Sequence, residues 1–186
     1  MARRPAPIWA TPVADADAER QLFDDALYCD GPARLRLEAV GLPEGALDEA
    51  LQVLAAIAVV EDRRGDEAGS GAELAQAVRR LDAKLDLTLL LLARLIPELQ
   101  GPPPRPVRLG VRGLRLEGEV PAARQAVLHW QPADWLPISL RLPVRALSRE
   151  GGVSCWAFEP LGSALEEALE RHVFRLHRRW RASQRG

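Results

Sequence analysis

A stripe of apolar residues runs through the middle of the chain at alternating spacings of four and three residues. This heptad seam predicts a long helix that must bury its stripe against partner helices. Leu89, Leu91 and Ile96 widen the stripe, so we expect a homo-oligomer, and a tetramer rather than a dimer. The residues of this expected oligomer interface are Leu74, Val78, Leu81, Leu85, Thr88, Leu92, Leu95 and Leu99.

Two other interpretations of this helix stay open. The helix could lie against the core of its own domain, although such helices usually drift to a period of 3.6 residues. It could also span a membrane, but the run from Leu87 to Leu92 is far short of the ~20 apolar residues that a span needs. We favour self-association and expect no membrane insertion.

The first hundred residues divide into two predicted units. Residues 1–44 form an N-terminal extension, partly disordered, with a short helix from Ala14 to Tyr28 and a short extended segment at Leu35 and Leu37. A helix from Gly45 to Arg63 and the seam helix then form a helical hairpin over residues 45–100. Gly101 and three prolines end this hairpin and mark a domain boundary.

After the prolines the apolar period changes to two, which indicates strands. Short strands are predicted at 107–111, 114–117, 126–130, from Leu136 to Val144 and at 153–158. A terminal helix follows from Leu161 to Arg181, with Leu165, His172 and Val173 on its docking face. The fold class is therefore α+β, with N-terminal helices followed by a small antiparallel β-barrel over residues 101–186.

Composition and cysteine usage restrict the classes of protein. A hydrophobic content of 47% and a net charge of −1 indicate a globular chain. Cys29 and Cys155 stand far apart with no second pair, so neither a disulfide framework nor a zinc site is expected. This cysteine usage fits a reducing cytoplasm.

No pattern of catalytic or metal-binding residues is present. His129, His172 and His177 have no i,i+3 or i,i+4 relation to one another, so helical metal ligation is not supported. Cys155 lies in a predicted strand and is better explained as a small buried residue than as a nucleophile. We expect no enzyme activity, no cofactor and no metal.

The second half of the chain resembles the PilZ domain. The resemblance rests on a strand, a glycine-centred turn, Leu-Arg-Leu, further strands ending in Trp-Ala-Phe-Glu-Pro-Leu at 156–161, and a C-terminal helix. The run Leu169 to Arg179 is similar to the closing helix of a bacterial subgroup. With a heptad helix ahead of the barrel, the chain looks like the divergent PilZ proteins that oligomerise through added helices.

The resemblance also implies a ligand, cyclic di-GMP, which PilZ domains bind through an RxxxR and a D/NxSxxG motif. The second motif aligns here with residues 108–113, where only Gly113 is retained. Arg108 and Gly110 replace the polar acceptors, and Arg94 and Arg105 stand alone where RxxxR is expected. These degenerate positions predict that cyclic di-GMP is not bound.

The resulting interpretation is a bacterial signalling adaptor of the PilZ type that acts through protein–protein interaction. The resemblance suggests type IV pilus motility, biofilm or virulence pathways, with an unidentified signalling or pilus-related protein as partner. One alternative is a PilZ domain that still binds cyclic di-GMP weakly. Another is a nucleic-acid or anionic-surface binder that uses the arginine-rich terminal helix from Arg171 to Arg185, which we disfavour because aromatic interleaving is slight.

Overall fold

A computed structural model describes residues 15–66, 78, 81, 85 and 102–184. The described elements, in chain order, are α1 (Ala16–Phe23), β1 (Tyr28–Glu38), α2 (Ala46–Asp66), β2 (Pro104–Gly110), β3 (Gly113–Glu117), β4 (Gln125–Gln131), β5 (Leu140–Glu150), β6 (Val153–Phe158) and α3 (Ser163–Ser183). The α+β fold class with an antiparallel barrel and a C-terminal helix is thereby confirmed.

The six strands form a closed barrel in the order β1-β2-β3-β6-β5-β4, and every neighbouring pair is antiparallel. Strand alternation sends one face inward, as in β5, where Leu140, Leu142 and Val144 are fully buried. Because the sheet closes on itself, each described strand has a neighbouring strand on both sides, and few backbone edges are left unpaired.

The first strand departs from the sequence interpretation. The helix expected to reach Tyr28 ends at Phe23, and the extended segment begins at Tyr28 and runs through Gly31-Pro32. Residues 28–34 pair with β2 and residues 34–38 pair with β4, so the expected extension contributes a barrel strand. At Pro32 one edge of β1 meets no other described strand, and a strand tolerates proline at such an edge.

The fifth strand also differs from its predicted start at Leu136. Backbone hydrogen bonds from Leu136 N–H to Ala133 O and from Ile138 N–H to Leu136 O curl this stretch into turns. The strand therefore begins at Leu140, and Ile138 is exposed. It continues to Glu150 across a register shift between Ala146 and Ser148.

Two apolar clusters hold the helices. The main cluster joins the barrel interior to α2 through Leu54 and to α3 through Leu169 and Val173, which confirms the predicted docking face of the terminal helix. A second cluster lies outside the barrel, where Leu22 and Phe23 of α1 pack with residues of β6. Because α1 covers this outer surface, it determines what the strands beneath it can contact.

Of the seam positions, Val78, Leu81 and Leu85 are described, and all three are helical. Leu81 is 59% exposed and Leu85 is 60% exposed in the single chain. The other seam positions lie outside the described residues: Leu74, Thr88, Leu92, Leu95 and Leu99.

Candidate functional site

The positions that the sequence comparison aligned with the ligand motif lie on β2 and at the start of β3, next to α1. Arg108 and Gly110 are on β2, and Gly113 opens β3. Arg108 lies 3.9 Å from Glu19 of α1, and a Cβ built at Gly110 or Gly113 would lie within 4 Å of Phe23 or Leu22 of the same helix. The contacts of these positions with other residues of the chain are described in turn below.

Arg108 is held by carboxylates and aromatic rings of its own chain. Its Nε donates to Asp30 Oδ1 at 2.8 Å, and Nη2 donates to Asp30 Oδ2 at 3.2 Å. Its Nη1 lies 3.9 Å from Glu19 Oε2, and its guanidinium lies 4.8 Å from the Tyr28 ring centroid and 5.6 Å from that of Phe23. This guanidinium is already paired and covered.

The pKa of Arg108 records the same environment. Burial alone would lower the pKa of the guanidinium, but the hydrogen bond and negative charge of Asp30 outweigh burial and raise that pKa above its ordinary value. Asp30 is itself buried, at 5% exposure. The pair is therefore a structural ion pair that fixes β1 against β2.

The two glycines allow the close approach of α1 and β6. A Cβ at Gly110 would lie 3.2 Å from ring carbons of Phe23. A Cβ at Gly113 would collide with the carbonyl oxygen of Trp156 and would lie 2.9 Å from a methyl of Leu22. Gly113 therefore leaves no room for a side chain, and a side chain at Gly110 would require the Phe23 ring to shift.

Glu19 extends the ion pairs from β2 to β3. Its Oε1 lies 2.6 Å from Nε of Arg115, a buried guanidinium that also lies 3.6 Å from Glu117. One carboxylate of α1 thus neutralises arginines on two neighbouring strands. This arrangement anchors α1 by charge as well as by the burial of its apolar face.

The arginines near the expected RxxxR motif are also engaged. Arg105 donates to the backbone carbonyl of Glu117, and burial lowers its pKa. Arg112 Nη1 lies 3.4 Å from Gln21 O and 3.3 Å from Asp24 O, at the end of α1. Arg94 lies outside the described residues. The described arginines of this region therefore bind backbone carbonyls of the chain itself.

The basic face of α3 is partly neutralised from α2. Glu61 places Oε1 at 2.7 Å from Arg179 Nη1 and Oε2 at 3.0 Å from Arg175 Nε, while its side chain is 11% exposed. Arg171 pairs with Glu167 one turn earlier. These pairs join α2 to α3 and weaken the nucleic-acid interpretation of this helix.

The histidines have structural contacts. His172 is fully buried, its Nε2 donates to Pro132 O at 3.1 Å, and its ring meets Trp130 edge-on. Burial lowers the pKa of His172 to about 4. His129 Nε2 lies 3.0 Å from a carboxylate oxygen of Glu38.

No group of three histidine, cysteine, aspartate or glutamate side chains with metal-binding geometry occurs among the described residues. Both cysteines are free thiols. Burial raises the pKa of Cys29 to about 11 and also raises that of Cys155, so neither thiol has the character of a nucleophile.

The sequence interpretation missed a cavity of about 580 Å³ beside residues 29–34 of β1. Trp130, Trp135 and Trp180 line it together with Leu176 of α3. These residues are up to fifty positions apart in the chain, so no spacing signal could have joined them. Arg108, Gly110 and Gly113 do not line the cavity, although Leu109 between them does and Asp30 borders both sites.

Comparison with protein families gives a match over residues 54–186 to the family described as "Atypical PilZ domain, cyclic di-GMP receptor". The chain belongs to the atypical PilZ family. This confirms the resemblance inferred from the barrel motifs and the terminal helix. The family is described as one of ligand-binding receptors.

A solved PilZ structure is also similar. It is a pathogenic protein from Xanthomonas campestris, described as a tetrameric PilZ domain self-assembled via an unusual helical bundle. The two chains are 37% identical, with 89% of this chain and 96% of that chain covered and a TM-score of 0.70. No curated protein matches this PilZ chain. Among its described residues, no helix is long and apolar enough for a bilayer crossing.

Proposed function

We propose that this PilZ protein is a non-enzymatic signalling adaptor that acts through protein contacts and does not bind cyclic di-GMP at its degenerate motif. The observation that carries the proposal is the packing of α1 against Arg108, Gly110 and Gly113. A nucleotide at these positions would have to displace α1 and would find neither the carboxylate nor the hydroxyl of the family motif.

The cost of displacing α1 is large compared with the affinity of a micromolar ligand. Leu22 is 1% exposed and Phe23 is 8% exposed beneath this helix. Exposing each of these side chains costs roughly 1.5–3 kcal/mol. A total of about 3–6 kcal/mol lowers an affinity by roughly two to four powers of ten. A site with a dissociation constant of about 1 μM would thus weaken to roughly 0.1–10 mM.

Calorimetric titration of the full chain with cyclic di-GMP tests the proposal. We expect no heat of specific binding, whereas a PilZ domain with intact RxxxR and D/NxSxxG motifs, used as a positive control, gives one. A dissociation constant below about 10 μM would contradict the proposal. In that case Arg105, Arg108 and Arg112, each changed to Ala, would identify the nucleotide contacts.

The adaptor is proposed to be a homotetramer joined through the seam helix. Two observations support this: Leu81 and Leu85 are helical and well exposed in the single chain, and the related Xanthomonas protein is described as a tetramer assembled through a helical bundle. Apolar seam residues at this exposure gain free energy when partner helices cover them.

The proposed setting is the bacterial cytoplasm, in pathways such as type IV pilus motility, biofilm formation or virulence. Free thiols at Cys29 and Cys155 are compatible with a reducing compartment. The proposed partner is a signalling or pilus-related protein. A pull-down with the full chain as bait would identify this partner. The seam variant Leu85→Asp, which we expect to disrupt assembly, is the matched control bait.

A further inference from the structure

The cavity beside residues 29–34 of β1 has walls that are mainly apolar and lies between the barrel and α3. Its floor includes Val107 and Trp130, which face the barrel interior. Trp135, Leu176 and Trp180 line the rest. A volume of about 580 Å³ lies within the range of roughly 300–1,000 Å³ that is usual for ligand pockets.

Four of the five charged side chains that line the cavity have partners within the chain, and the fifth, Asp134, is an acid that would itself repel an anion. Asp30 binds Arg108 through both carboxylate oxygens, and Arg179 binds Glu61. Arg34 donates to the carbonyl of Pro102. What stays open to a ligand is therefore the tryptophan surface, which favours an apolar or aromatic group over an anion.

Residues 1–14 of the chain contain apolar and aromatic groups of this kind. Ile8 and Trp9 stand among the prolines of residues 1–14, at Pro5, Pro7 and Pro12. Proline-rich segments favour an extended conformation with little entropy left to lose, and aromatic-lined grooves recognise them for this reason. An exposed tryptophan and isoleucine would also gain free energy by burial.

The segment joins the fold close to the cavity. Residue 15 directly precedes α1, and Glu19 in the first turn of α1 lies 3.9 Å from Arg108. Arg108 in turn lies 2.8 Å from Asp30, which lines the cavity. Two side-chain contacts thus connect the start of α1 to the rim. Trp9 stands six residues before Asp15, and six extended residues span up to roughly 20 Å, which lets Trp9 reach this rim.

We propose that residues 1–14 bind in this cavity of their own chain, with Ile8 and Trp9 against Trp135 and Trp180. The site is a binding pocket for an aromatic, proline-flanked peptide segment. It is independent of the degenerate nucleotide motif and of the seam.

Alkylation of Cys29 in the full chain tests this proposal, because Cys29 lines the cavity. We expect Trp9→Ala to speed the reaction of Cys29 with a maleimide by about tenfold or more, since the cavity would be vacated. Thr11→Ala is the matched control and should leave the rate unchanged. Cys155 is buried under α1 and should react equally slowly in all three proteins. An unchanged Cys29 rate in Trp9→Ala would overturn the proposal.

A second measurement does not depend on vacating the cavity. Benzoylphenylalanine placed at position 9 of the full chain should cross-link, on irradiation, to a residue lining the cavity. Docking within one chain gives a product with the mass of one chain on a denaturing gel. A product of two chains, or attachment away from the cavity, would overturn the proposal.

Discussion

Arg108 of β2 grips Asp30 of β1 with two hydrogen bonds, from Nε at 2.8 Å and from Nη2 at 3.2 Å. In the alignment proposed here, Arg108 stands at the position where the PilZ motif carries an aspartate or asparagine. The neighbouring strand β1 supplies the carboxylate that pairs with it. The proposal thus assigns to the fold a position that serves a ligand in the family motif.

Breaking this pair should destabilise the protein strongly. Arg108→Ala leaves the buried carboxylate of Asp30 without a partner, and we expect a loss of about 3 kcal/mol in the free energy of unfolding. Urea denaturation measures the loss. Arg20→Ala is the control, because the Arg20–Asp17 pair is exposed and should contribute nothing measurable. Equal effects of the two substitutions would show that the Arg108 pair is not structural.

Gly113 should be intolerant of any side chain. Gly113→Ala forces a Cβ against the carbonyl of Trp156 and the side chain of Leu22, so we expect a loss of about 3 kcal/mol. Gly41→Ala is the matched control, since nothing lies within 4 Å of a Cβ there. Thermal unfolding of both variants checks this. A Gly113→Ala variant as stable as the control would contradict the close packing of α1, β3 and β6.

The stability of the fold should decrease in mild acid because of His172. Its pKa is about 4 in the folded chain against 6.5 ordinarily, so the unfolded chain binds the proton first as the pH falls. The stability that neutral His172 provides is complete above pH 6.5 and is lost between pH 6.5 and about 4. The loss amounts to about 3 kcal/mol.

His172→Gln isolates this contribution. The variant is less stable than the original at neutral pH, because the ring contacts with Trp130 are lost. Its unfolding free energy should, however, fall about 3 kcal/mol less between neutral and acidic pH. Urea denaturation across this pH range gives the comparison. Parallel pH profiles for the two proteins would exclude His172 as the source.

Local patterns predicted much of the barrel. The even positions from Leu140 to Val144 are buried as the alternation indicated, and the docking face of α3 is correct. Both results depend on a periodicity that one element carries by itself. Strand β1 was missed because its pairing with β2 and β4 is a tertiary feature, while Gly31-Pro32 locally indicates a stop.

The candidate site was predicted only in part. The alignment made from the sequence puts Arg108 and Gly110 where the family motif has polar acceptors. It did not show that α1 packs over them, although the apolar pair Leu22 and Phe23 on a short helix signalled a need for cover. The sequence contained no signal for the tryptophan cavity. Trp130 and Trp180 line one cavity only because α3 packs against the barrel.

We expect substitutions in the seam to disrupt assembly of the oligomer and to leave the barrel folded. Leu85→Asp places a charge in the seam, and we expect dissociation of the oligomer or loss of its helices, since burying that carboxylate would cost several kcal/mol. Leu92→Asp should act in the same way. Val40→Asp, at another exposed apolar residue away from the seam, is the control and should leave assembly intact. Sedimentation velocity, with circular dichroism to confirm folded strands, separates the outcomes.

We propose that this PilZ protein works as a self-assembled homotetramer, and its mass in solution is the most direct test of that assembly. Light scattering on the full chain at micromolar concentration should give four times the mass of one chain. Addition of cyclic di-GMP should leave that mass unchanged. A monomeric mass under these conditions would contradict the account, because the exposed Leu81 and Leu85 would then have no partner helices to cover them.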